Sequence, residues 1–175
     1  MEYHRRILDQ IHRNIIHPLL TSGAAGQDRE IAHERALRLM EKVQSNPFLV
    51  WAMSKAFVYK DPILETALIT RNIRSDLFIP NPLGLAAGFD KNARVVRLLG
   101  DALGFGFVKA GSITKVPYGG NPRPRIFDLS ENDGLINRMG FPGEGTDLAE
   151  KRLKKLLRID SMNSDSVLIV NIAAS

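Results

Sequence analysis

NPLGLAAGFDKNARVVRLLGDALGFGFVKAGSIT, residues 81–114, reads as an apolar strand, a helix and a second strand in direct succession. PLGLAAG has the uninterrupted apolar character of a strand covered on both faces, ARVVRLLGDALG has helical spacing and stops at Gly104, and GFVKAGSI is apolar again. Further on, GTDLAEKRLKKLLRI predicts another helix and SVLIVNIA a third strand. Apolar strands that alternate with helices pair in parallel through right-handed crossovers, so an α/β fold is expected. Between the second strand and the second helix, RIFDLSENDGLINR predicts two short strands around a turn at Glu131-Asn132-Asp133-Gly134.

Upstream of Pro80 the pattern changes, and a domain boundary is expected there, dividing residues 1–78 from 79–175. Ile7, Ile11, Ile15 and Ile16 recur at helical spacing, and a second helix is expected from about Asp28 to Val43. NPFLVWAMSKAFVY predicts a third helix, with Asn46 as N-cap and Pro47 at its first position. This helix is apolar on much of its surface, through Phe48, Leu49, Val50, Trp51, Met53, Phe57 and Val58. Two readings fit it: packing on the domain body, or an amphipathic element that meets lipid or an apolar ligand.

Composition narrows the chemistry. The 175 residues include no cysteine, which excludes disulfides, Fe–S clusters, thiolate zinc sites and cysteine nucleophiles. All four histidines (His4, His12, His17, His33) precede the Gly-rich part, so no histidine general base is expected within it, and no metal site is expected. No window is long and apolar enough for a membrane span, and the charged opening MEYHRRILDQ does not read as a secretory signal. The formal charge of +5 is mostly spread thinly, and in the one dense run, KRLKKLLR, Leu153, Leu156 and Leu157 interleave at helical spacing. That is the pattern of a solvated amphipathic helix, and no nucleic-acid partner is expected.

The exits of the predicted strands carry the chemistry. Ala86, Ala87 and Gly88 are small enough to let the backbone approach a flat ring, and Lys91 beside them is a point charge for a carboxylate or a reduced cofactor. Gly111 and Ser112 end the second strand, while Asn171 puts an amide into a strongly apolar third strand and needs polar partners there. Arg123 and Arg125, between Pro122 and Ile126, read as solvated loop charges with a capacity for phosphate. Asn137, Arg138, Met139, Gly140 and Phe141 suit a loop that grips a planar, hydrogen-bonding anion.

NPLGLAAGFDKN, GFGFVKAGSIT, GGNPRPRIF and GLINRMGF, in this order, resemble the front half of class 2 dihydroorotate dehydrogenase, the membrane-associated, quinone-using branch of that flavoenzyme family. The resemblance extends over about residues 28–172. It implies an incomplete (β/α)8 TIM barrel of about three strands, preceded by a helical extension that docks on the membrane and admits quinone. That favours the lipid-facing reading of the third helix. Residue by residue, it implies that Ala87, Gly88, Lys91, Ser112 and Asn171 contact FMN. Lys91 and the loop Asn137, Arg138, Met139, Gly140 and Phe141 would contact dihydroorotate or orotate.

The implied reaction is oxidation of dihydroorotate to orotate, with electrons passing through FMN to a membrane quinone. The sequence departs from the family at Ser112, where a Thr is usual, and at Ala173-Ala174-Ser175, where Gly-Lys-Asn is usual. A third departure is the Thr114-Lys115-Val116-Pro117-Tyr118 loop. The family's base is a serine beyond the fourth strand, so no residue here is nominated for proton abstraction. Closed barrels take roughly 200–250 residues. The chain is therefore expected to be the front portion of a larger enzyme and inactive alone, peripheral on the cytoplasmic face of a bacterial inner membrane or, alternatively, on a mitochondrial inner membrane. A non-enzymatic remnant docking through its N-terminal helices, and a cytosolic relative with a soluble acceptor, are the other two readings.

Overall fold

A computed structural model describes residues 28–68, 77–129, 134–158 and 165–174. The helix expected around Ile7–Ile16 and the turn Glu131–Asp133 lie outside them. Helix α1 (Arg29–Gln44) starts where Asp28 caps it, its Oδ1 accepting the Glu30 amide at 2.8 Å. Helix α2 (Pro47–Phe57) starts as its sequence dictates: Asn46 Oδ1 accepts the amides of Phe48 and Leu49 at 3.0 and 3.3 Å, and Pro47 occupies the first turn.

The helical reading of residues 1–78 fails further on. Asp61 and Pro62 open a 3₁₀ turn at Pro62–Leu64, and strands β1 (Thr66–Leu68) and β2 (Leu77–Ile79) pair antiparallel. Three-residue strands are too short to show a period in sequence.

Strands β3 (Gly84–Leu85), β4 (Phe107–Ile113) and β7 (Val167–Ile172) form the expected parallel sheet in the order β3-β4-β7. Strands β5 (Ile126–Leu129) and β6 (Gly134–Asn137) form the expected antiparallel excursion, and α3 (Thr146–Arg158) the helix leading to β7. Ala149 is buried on α3, while Lys154 and Glu150 pair in solvent at 2.6 Å, so the basic run is a solvated face.

The helix expected over ARVVRLLGDALG is shorter and wider than its sequence suggests. Asp90 accepts the amides of Arg94 and Val95 at 2.9 and 2.8 Å and delays the first turn, and the chain then forms a π-helical turn at Leu98–Ala102. Gln44 bounds the segment at its start: its Oε1 accepts the Leu98 amide and its Nε2 donates to the Arg94 carbonyl, both at 2.9 Å. The side-chain amide thus occupies the donor and acceptor that an ordinary i→i−4 bond would join. Val50 of α2 packs on Leu98 and Ala102, with Met40, Val43 and Met53 around them.

Contacts divide the chain along a different line from Pro80. Met1–Leu39 with Asn121–Gly140 is one compact unit, and Met40–Gly120 with Phe141–Ser175 the other. Both α2 and the sheet fall in the second. Among the described residues no helix is long and apolar enough to cross a membrane.

Candidate functional site

Because β3, β4 and β7 run in parallel, their carboxyl ends share one edge of the sheet, and five of the expected residues lie there. The loop after β3 is strapped to the end of β4: the Gly88 amide donates to the Gly111 carbonyl at 2.8 Å and the Gly111 amide to the Asp90 carbonyl at 2.9 Å. Gly111 has φ +120, and a β-carbon there would run into the Asn171 carbonyl, so glycine is required for β4 and β7 to close up. Gly88 is the opposite case. Its φ is +108 and nothing lies within 4 Å of where a β-carbon would stand, leaving a bare, open stretch of main chain after Ala87.

Lys91 Nζ donates to the Gly88 carbonyl at 2.8 Å, which holds the ammonium at the mouth of this loop. On the neighbouring strands, Asn171 Nδ2 donates to Ser112 Oγ. Asn171 is therefore half-buried rather than enclosed, and it finds a partner within the protein. The edge combines a cation, a hydroxyl, an amide and exposed backbone, a set able to meet a flat ligand with mixed donors and acceptors. Among the described residues no cluster of His, Asp or Glu has the arrangement of a metal site.

Two supporting residues escaped the sequence reading. Asp90, next to Lys91, is fully buried and caps the following turn. The signal was present, since Asp before an apolar helical run is a cap pattern. Asn92 had no such signal: its Oδ1 accepts the Glu144 amide at 2.9 Å and its carbonyl accepts Arg152 Nη1 at 3.1 Å, while Arg152 and Glu144 form an ion pair.

The second expected loop leaves the β5–β6 hairpin. Asn137 is the last residue of β6, paired in register with Ile126, and is exposed; its Oδ1 accepts the Met139 amide at 3.4 Å. Arg138 lays its guanidinium over Phe127, 5.9 Å from the ring centre, and donates to the Pro124 carbonyl at 3.3 Å. Asn121 clasps the loop, its amide donating to the Met139 carbonyl at 3.0 Å and its Nδ2 to the Arg138 carbonyl at 2.6 Å. Gly140 follows against the Asn121 side chain, and Phe141, exposed with φ +54, already belongs to the other unit.

Arg123 is exposed as expected from sequence, but Arg125 is not the solvated charge expected there. Arg125 is 5% exposed and grips both carboxylate oxygens of Glu30, and Arg123 Nη2 donates to the same carboxylate at 2.9 Å. The Arg125 hydrogen bond holds the Glu30 carboxyl below its ordinary range, and Glu30 in turn raises Arg125. Local sequence could not reveal the pair, because its members are 95 residues apart.

Residues 70–174 match the family profile described as dihydroorotate dehydrogenase. The chain is 38% identical over 148 residues to a dihydroorotate dehydrogenase (quinone) of Synechococcus sp., covering 83% of this chain and 37% of that protein. It is 41% identical over 141 residues to one of Natronomonas pharaonis, covering 79% and 37%. The ligand-free crystal structure of DHODH from Eimeria tenella superposes with a TM-score of 0.67 at 38% identity, covering 85% of this chain and 38% of that one. The same enzyme in complex with ferulenol gives a TM-score of 0.61 at 37% identity, covering 83% and 36%. The chain thus spans a little over a third of the length of the relatives it matches, and their fold is of the α/β barrel type.

Proposed function

The chain belongs to the dihydroorotate dehydrogenase family, and from that premise we propose that the protein oxidises dihydroorotate to orotate with FMN as cofactor and a membrane quinone as electron acceptor, a step of pyrimidine biosynthesis. The observation that carries this reading is the gathering of Ala87, Gly88, Lys91, Ser112 and Asn171 at the carboxyl edge of the parallel sheet. Sites of βα-barrels lie at that edge.

The residues fit a flavin. The open main chain at Ala87 and Gly88 leaves room for a flat ring system, and Lys91, Ser112 and Asn171 supply charge and hydrogen bonds for its polar edge. When bound, FMN supplies the hydride acceptor. The chain's own part is to bind and orient. Lys91 places positive charge at the flavin's edge, and Asn137, with one donor and one acceptor group, suits the polar edge of a planar pyrimidine. Proton abstraction is assigned to none of the described side chains.

On the same reading β3, β4 and β7 are early strands of an eight-stranded barrel, and α1 and α2 belong to the extension that precedes it. Support for a peripheral membrane site comes from α2, which packs Val50 inward and leaves Phe48 67% and Trp51 57% exposed. The test uses the complete protein. A flavin absorbance spectrum and dihydroorotate-dependent reduction of a quinone analogue are expected, both lost in Lys91→Ala; a colourless protein without turnover overturns the proposal. For the membrane, Phe48→Asp with Trp51→Glu should abolish co-sedimentation with anionic liposomes while the flavin spectrum stays. Undiminished co-sedimentation removes that role from α2.

A further inference from the structure

We propose that Glu30 and Arg125 are positioning residues that set the main chain of the loop after Asn137, so that the first turn of α1 governs dihydroorotate affinity without touching the ligand. The inference rests on the reading of that loop as the dihydroorotate contact.

Arg125 buries its guanidinium. Arg125 Nε and Nη2 are committed to the two oxygens of Glu30. That leaves Nη1, which donates to the Asn121 carbonyl at 2.9 Å and, more weakly, to the Met139 carbonyl at 3.5 Å. The Arg125 carbonyl accepts the Arg138 amide at 2.9 Å. Arg138 and Met139, the two residues that follow Asn137, are thus held through their backbones by Arg125 and by Asn121, which Arg125 itself holds.

Glu30 is a fixed anchor for this fork. It lies in the first turn of α1, where Asp28 caps its amide and where a carboxylate is favoured by the helix dipole. A second cation, Arg123, leans on the same carboxylate at 2.9 Å. Removing Glu30 would leave two guanidinium groups facing each other and free Arg125 to rotate. A lysine could keep the charge opposite Glu30, but it lacks the planar fork that reaches a carboxylate and two carbonyls together.

The experiment compares Glu30→Gln, Arg125→Lys and Asn137→Ala in the complete protein. Orotate affinity is measured by calorimetry, dihydroorotate kinetics at steady state, and hydrogen exchange at the Asn121 and Arg138 amides. Arg125→Lys, which retains a cation opposite Glu30, covers the case in which Glu30→Gln does not fold. For both latch variants we expect on the order of tenfold weaker orotate binding, a raised KM with kcat little changed, and faster exchange at the two amides in the absence of ligand. Unchanged affinity and exchange in Arg125→Lys, with Asn137→Ala still weakening orotate, overturns the latch alone. Unchanged affinity in Asn137→Ala overturns the substrate reading and the proposal with it.

Discussion

Glu30 shows how a single carboxylate ties stability to pH. Its carboxyl titrates below the ordinary value of 4.5, chiefly because Arg125 hydrogen-bonds to the ionised form. A carboxylate whose pKa is depressed by folding contributes stability above its unfolded pKa and loses it as pH falls through the folded one. Glu30→Gln should therefore cost about 3 kcal/mol at neutral pH, the lower end for breaking a buried pair, since Arg125 keeps its carbonyl contacts. In urea melts the gap between parent and variant should close only below about pH 4.5. A gap that widens on acidification would mean that the pair does not stabilise the fold. On the proposed function, Asn137→Ala should raise the KM for dihydroorotate on the order of tenfold or more, because it would leave a planar polar edge unpaired. Single-residue chemistry was legible where the signal is local, as at the Asn46 cap, the bare Gly88 turn and the polar Asn171 in an apolar strand. It was illegible for Arg125, whose partner is remote in sequence.

At the scale of elements, strands β4 and β7 and helices α1, α2 and α3 follow from apolar period and caps, and each formed close to its expected place. The π-helical turn does not follow from its own residues, which favour an ordinary helix. At its start the ladder is interrupted by an amide on α1, more than 50 residues upstream of Leu98. The prediction at this scale concerns that amide: Gln44→Ala leaves the Leu98 N–H and the Arg94 carbonyl without their partner and should cost about 1–3 kcal/mol in chemical denaturation. A neutral result would indicate that the segment relaxes into a regular α-helix, which amide exchange at Leu98 would register as a new protected bond. The short β1–β2 pair shows the complementary limit, since its residues declare no period and are paired by tertiary context.

For the molecule as a whole, the sheet sets an expectation for how these 175 residues should behave by themselves in solution. Among the described residues β7 pairs only with β4, and Ile172 on it is 74% exposed. A strand with one unpaired side and apolar side chains is a template for association. The 175-residue chain should sediment as a concentration-dependent series of oligomers, and Ile172→Lys should move it toward monomer; a parent chain that stays monomeric at all concentrations would show that this edge is covered. Gln44, meanwhile, is a place where one substitution would make the entire fold sensitive to pH. Glutamate at this position would mimic the amide only while its carboxyl keeps a proton to give to the Arg94 carbonyl. Once ionised, it would press a negative charge against that oxygen, so burial and this bond both raise its folded pKa. Gln44→Glu would then be firmest in acid and loosen as the pH climbs through that raised value, giving a one-atom replacement that turns a silent structural splice into a proton-operated clasp.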